Sequence, residues 1–189
     1  MTPDFPALLL TLPTPPVLDI TLRRLVDESA LTSRTPPDYL YTSGYAYRLN
    51  TRASRALYGA EDAATAGAEW ERGVAKSPRP LMKQLLYFIK VSLPVIDLGD
   101  AAVLAALQLT ENDLRAPWQF ASAPTRLQLL GDAAACQTRF GAVRFPSDAA
   151  RARGFRGFNL ALFPTAIVAP MSVRILDDSG RQLQYWPSP

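Results

Sequence analysis

The sequence predicts a single α/β (α+β) domain carrying one mixed sheet, and three observations lead there. Apolar residues recur at the two-residue spacing of strands in some stretches and at helical spacing in others, the two kinds alternating along the chain. The 189 residues are 48% apolar and 20% charged, enough for one sizeable core and short of a second. No internal repeat, low-complexity tract or charge block marks a boundary, so residues 1–189 read as one domain.

The 17 prolines punctuate the elements, clustering in the first sixteen positions, at Pro36-Pro37, at Pro78 and Pro80, and at the end. Ile20 to Leu31, with Leu22, Leu25 and Val26, reads as a short amphipathic helix, and Ser33 to Asp38 as a surface loop. Tyr45–Asn50 and Arg55–Ala60 read as two strands of a hairpin joined by polar residues. Asp62 to Ala75 is alanine-rich, opens on acidic residues and stops before Pro78, which predicts a helix. Leu85 to Leu98 reads as a buried strand broken by Pro94 into a second, shorter piece. Asp100–Leu107 and Thr125–Arg139 read as helices, with Thr110 or Asn112 capping a turn between them. Ala142–Phe145, Phe158–Phe163 and Ser172–Leu176 supply three more strands, the last ending in the turn Asp177-Asp178-Ser179-Gly180.

Composition excludes much chemistry. With no histidine, the chain cannot build a Ser-His-Asp triad, a Cys-His pair or a His-ligated metal site. One cysteine, Cys136, allows neither an internal disulfide nor a Cys cluster; on an apolar helix it reads as a small buried hydrophobe. A cytoplasmic location is therefore expected. No apolar run is long enough to span a bilayer, and no basic residue precedes Arg23, a poor start for a signal peptide. The net charge of +3 is mild, yet seventeen of the twenty basic residues are arginine, the side chain suited to bidentate capture of phosphate. The glycine-rich loops of dinucleotide and P-loop sites and the GxSxG elbow are missing.

What remains is a scattered set of polar residues. Arg48 lies in Tyr47-Arg48-Leu49-Asn50 and Tyr58 in Ala56-Leu57-Tyr58. Glu69 lies mid-helix, where Ala66 and Ala68 leave room for a ligand. Ser147 follows Phe145-Pro146 and is placed to cap the next turn. In this order the set resembles the RES-domain family, named for an arginine, a glutamate and a serine, whose members act as toxins of bacterial toxin–antitoxin pairs. The family's first signature is an arginine in a G-R-W/F-N run, a tyrosine ten residues on and a helical glutamate at plus twenty-one; Arg48, Tyr58 and Glu69 fit it. Its other signature, a Y/F-P-S run and then N-x-A/x-L-F, is similar to Phe145-Pro146-Ser147 followed by Asn159-Leu160-Ala161-Leu162-Phe163. Tyr47 stands where the family has glycine and Leu49 where it has an aromatic residue, and residues 1–40 are atypical of it.

The resemblance implies a fold like that of ADP-ribosyltransferases and cleavage of the nicotinamide–ribose bond of NAD⁺. NAD⁺ would be substrate, inorganic phosphate a co-substrate, and no prosthetic group would be needed. It also implies a cognate Xre-type antitoxin as partner; the short apolar runs and the mild net charge, for their part, lead to the expectation of no membrane and no direct nucleic-acid binding. Implied alternatives are an ADP-ribosyltransferase acting on a protein and an inactive RES-fold module. A ribonuclease or nucleic-acid binder using Arg151, Arg153 and Arg156 is a further alternative. Elementary chemistry agrees that histidine is dispensable: nicotinamide leaves as a neutral molecule from a cationic ring, so it needs no proton. The demand falls on the oxocarbenium-like ribose, which a carboxylate stabilises by about 4 kcal/mol at ~4 Å and an effective dielectric near 20. That is roughly a thousandfold in rate. Glu69 is the candidate, facing the developing charge or holding the ribose hydroxyls. Arg48 is expected on the pyrophosphate, Tyr58 against the nicotinamide ring with its hydroxyl positioning it, and Ser147 and Asn159 on substrate oxygens. A dimer is expected, because apolar Phe5–Leu12 would otherwise lie exposed.

Overall fold

Two long strands set the frame. In the computed structural model, which describes residues 3–33, 37–42, 44–76, 83–119 and 121–187, β1 (Val17–Asp27) and β3 (Gln84–Asp97) pair antiparallel along the whole of β1, from Val17 opposite Pro94 to Asp27 opposite Gln84. The helix expected over 20–31 is therefore a strand. Its decisive pattern is the alternation Leu18, Ile20, Leu22 and Val26, all packed in one apolar cluster, and long-range pairing outweighs the weak helical spacing of Leu22, Leu25 and Val26.

β3 also runs straight through Pro94. Proline is tolerated there because the pairing with β1 ends at that residue, while Val95–Asp97 go on to pair parallel with β4 (Ala142–Pro146). Around these lie β2 (Leu57–Ala60), β5 (Phe158–Leu162), β6 (Ser172–Leu176) and β7 (Gln182–Trp186), giving a mixed seven-stranded sheet in the order β1-β2-β5-β4-β3-β6-β7. Because β1 touches β2 through Arg23 and Ala60 and also pairs with β3, the sheet closes on itself. β7 follows the expected turn at Asp177–Gly180, where Gly180 takes φ +83°. It is a strand beyond those expected from the sequence, which end at that turn.

The expected hairpin is absent in its first half. Tyr45–Asn50 curls into a turn held by one bridge between Tyr47 and Asn50, and the nearer neighbour of β2 is Tyr41, opposite Leu57. Asn50, fully buried, is the reason: its Nδ2 donates to the carbonyls of Tyr45, Thr51 and Ser54, which bends the chain where a strand would continue.

Helices cover the outside: α1 (Phe5–Thr11), α2 (Ala30–Ser33), α3 (Ala63–Lys76), α4 (Ala101–Ala106), α5 (Glu111–Arg115), α6 (Arg126–Ala135) and α7 (Asp148–Ala152). Of the two candidate caps, Thr110 starts α5 with a reciprocal capping box to Asp113. α6 is shorter than expected, ending at Ala135, and Cys136 caps it with an exposed rather than buried thiol. Residues 34–36 of the expected loop 33–38 lie outside the described residues.

Two apolar layers result. One lies between β1, β3 and the β2-β5 pair, around Leu22, Leu57, Ile89, Leu160 and Leu162; the other packs α1 and α6 on Phe145, Ala161 and Phe163. Phe5, Leu9 and Leu12 are buried in that second layer while Leu10 stands 69% exposed, so the chain itself covers only part of the apolar N-terminal segment.

Candidate active site

α3 begins where Asp62 accepts hydrogen bonds from the amide and hydroxyl of Thr65, each at 2.7 Å. Two turns on, its small buried residues Ala66 and Ala68 let the helix lie close to the sheet, and Glu69 turns toward the strands. There Oε1 of Glu69 accepts from Ser147 Oγ and from Asn159 Nδ2, both at 2.7 Å. Ser147 is 2% exposed and Asn159 7% exposed, so both donors work away from bulk water. Oε2 accepts no hydrogen bond among the described residues, and Glu69 lines a cavity of about 480 Å³, a size that suits a small-molecule ligand.

Both donors are placed by backbone pairing. Asn159 sits on β5 opposite Phe145 of β4 and Ala60 of β2. Ser147 is the N-cap of α7, its Oγ accepting from the amide of Ala150 at 3.0 Å while donating to Glu69. α3 and α7 come close at Gly157, where a Cβ would lie 2.1 Å from Thr65 Oγ1; no larger residue fits.

The next residue, Asp148, holds Arg48. The guanidinium donates through Nη2 to Asp148 Oδ2 and through Nη1 to the carbonyl of Leu114. Neighbouring residues at the start of α7 thus anchor the carboxylate and the guanidinium, and Arg48 and Glu69 line the same cavity. With its two terminal nitrogens engaged, Arg48 is a braced wall of the site rather than a free fork for pyrophosphate.

Tyr58 departs from expectation in the same way. Its hydroxyl accepts from the amide of Leu49 at 2.9 Å and donates to Asn50 Oδ1 at 3.0 Å, so it fixes the turn that carries Arg48 instead of reaching a ligand. Burial pushes the phenol well above its ordinary range, against smaller opposing effects of the Leu49 amide and of Arg48, and the group stays protonated as that turn requires. Its ring still lines the cavity, edge-on to Phe145, and Tyr47 stacks on Trp118 at 5.5 Å nearby.

Compared with models of known protein families, residues 21–186 match the RES domain. The chain belongs to the RES-domain family. No curated protein matches it. The RES match opens inside β1 and closes at the last residue of β7, so it takes in all of the sheet but the first four residues of β1, together with Arg48, Tyr58, Glu69, Ser147 and Asn159.

The RES site also holds residues that sequence reasoning does not single out. Asp148 acts on Arg48, 100 residues away, and nothing local marks that contact, while Asn50, the last residue of the Tyr47–Asn50 run, accepts from Tyr58 eight residues on. Trp118 lies in an irregular stretch between α5 and α6. Arg24 lines the cavity from β1, and its Nε is buried without a hydrogen-bond partner. A signal for it exists: in the row Leu18, Ile20, Leu22, Val26 an arginine at 24 falls on the inward side of a strand, but a helical reading hides the row. The arginines of 151–156 are partly engaged within the chain, Arg151 by Asp148 and Arg153 by Glu71, while Arg156 lies over the Phe158 ring.

Proposed function

We propose that this RES domain cleaves the nicotinamide–ribose bond of NAD⁺, with phosphate or water as acceptor, and serves as a toxin that a cognate Xre-type antitoxin neutralises. One observation supports this above the others. A carboxylate that lines a cavity walled by aromatic rings is fixed through Oε1 by two buried donors, its other oxygen free of hydrogen bonds among the described residues. Such a carboxylate needs no reorganisation when positive charge develops in front of it.

In the reaction, the bond from ribose C1′ to the pyridine nitrogen breaks with both electrons moving to nitrogen, so nicotinamide leaves neutral. A phosphate oxygen bonds to C1′ from the other face and gives ADP-ribose 1-phosphate; with water, ADP-ribose and a proton result. Glu69 Oε2 stabilises the oxocarbenium-like ribose or holds its hydroxyls. Ser147 and Asn159 orient Glu69, Arg48 braces the cavity wall, and the Tyr58 ring faces the nicotinamide.

Purified protein incubated with NAD⁺, with and without orthophosphate, is expected to release nicotinamide and to leave RNA in the same tube intact. Dependence on phosphate identifies phosphorolysis, and release without it identifies hydrolysis or transfer to protein. NAD⁺ that survives intact overturns the proposal, as does undiminished release by a folded Glu69→Ala variant. Adding the antitoxin is expected to stop release by closing the cavity.

A further inference from the structure

Resting on that reading and deepening it, we propose that Arg24 is the anion-binding residue of the cavity, its guanidinium receiving phosphoryl oxygens of the substrate or co-substrate. The argument begins with position. Arg24 pairs with Tyr87 in an unbroken register, on the inward side of β1 between Leu22 and Val26. Apolar residues fill that row elsewhere, and a guanidinium there must find its partners inside the molecule or in the cavity.

It finds none inside. Nε is buried and unbonded, and no carboxylate among the described residues forms an ion pair with it. Of the other arginines that line the cavity, Arg48 is held by Asp148 and Leu114 and Arg23 by the carbonyl of Glu61 at 3.1 Å, while Arg72 is exposed on α3 and carries no burial cost. Glu69 is near enough for its charge to favour the cation but forms no ion pair with it, so cation and carboxylate face a shared space. Desolvation holds Arg24 below the ordinary arginine range, the mark of a charge whose burial the protein leaves uncompensated. A phosphoryl group supplies what is missing: two acceptor oxygens in the spacing of the guanidinium fork and a negative charge. Two sources share that chemistry, the pyrophosphate of the dinucleotide and free orthophosphate.

Calorimetric titration separates them. Orthophosphate and ADP, the latter presenting the pyrophosphate, are titrated separately into wild type, Arg24→Gln and Arg24→Lys, with circular dichroism and melting temperature recorded for each. Arg24→Gln is expected to weaken one of the two by about tenfold to a hundredfold, the loss of a charge-assisted bidentate contact. Arg24→Lys, a point charge without the fork, is expected to fall between. Weakened orthophosphate identifies the co-substrate subsite, and weakened ADP the pyrophosphate subsite. Arg24→Gln is further expected to melt no lower than wild type, because it removes an unpaired buried charge. Unchanged affinity for both ligands in folded Arg24→Gln overturns the proposal; so does a lower melting temperature with both affinities unchanged, which makes Arg24 a packing residue. Binding is read without turnover, so loss of phosphate affinity in a protein that leaves NAD⁺ intact overturns the cleavage reading and keeps the anion site.

Discussion

Glu69 Oε1 holds two short hydrogen bonds, and that single atom carries the sharpest expectations at the residue scale. Glu69→Gln is expected to cost about a thousandfold in the rate of nicotinamide release, because the charge in front of the ribose is lost while the shape stays. Ser147→Ala and Asn159→Ala each remove one donor to an ionic acceptor, worth about 1.5–3 kcal/mol, or roughly 10- to 150-fold. The loss belongs in kcat rather than KM, since both side chains act through Glu69, and steady-state kinetics separates the two. Tyr58→Phe leaves the Leu49 amide and Asn50 Oδ1 without their buried partner and is expected to cost about 1–3 kcal/mol in urea unfolding. The order Arg48, Tyr58, Glu69, Ser147 was legible in the sequence, but their partners were not. Arg48 reaches 66 residues to Leu114 and 100 residues to Asp148, and no local pattern reports such distances.

At the level of elements, legibility followed the strength of the local signal. α3, α4 and the three strands β4, β5 and β6 emerged close to their observed bounds, because each has its own periodicity and punctuation. β1 was not legible because its pairing with β3, sixty-odd positions downstream, decides its state and its own pattern only half declares it. Gly131 shows how tightly elements fit: a Cβ there would lie 1.8 Å from the carbonyl oxygen of Leu49, so Gly131→Ala drives α6 into the turn bearing Arg48. A destabilisation near 3 kcal/mol is expected from this backbone collision, with activity falling alongside. Between α5 and α6, burial acts to raise the Asp113 carboxyl, but hydrogen bonds from Thr110 and the charge of Arg126 outweigh it, and the carboxyl is held below its usual range. A group depressed by folding contributes stability above its unfolded value, near pH 4, and loses that contribution as pH falls through the folded value. Asp113→Asn is therefore expected to flatten the acid side of the stability curve below about pH 4, read as melting temperature against pH.

For the whole molecule, Arg139 ties the N-terminus down. Its guanidinium donates to the carbonyls of Leu9, Leu10 and Leu12 and to Thr14 Oγ1, while Phe5, Leu9 and Leu12 fill the layer above α6. Leu9→Ala empties a fully buried site and is expected to cost about 2–5 kcal/mol, measured by thermal or urea unfolding. The single mixed domain was readable from composition and alternating periods, but the closure of the sheet through β1 was not, since no local feature tells a strand that it has two neighbours. Among the described residues, no helix is long and apolar enough to cross a membrane.

The two hydrogen bonds that fix Glu69 span 78 and 90 residues. While the chain is being made, the carboxylate therefore emerges long before the groups that aim it. A ribosome stalled anywhere ahead of Asn159 displays a chain whose Glu69 still lacks one of its two donors, and a cut between α3 and β5 severs the backbone that joins Glu69 to Asn159.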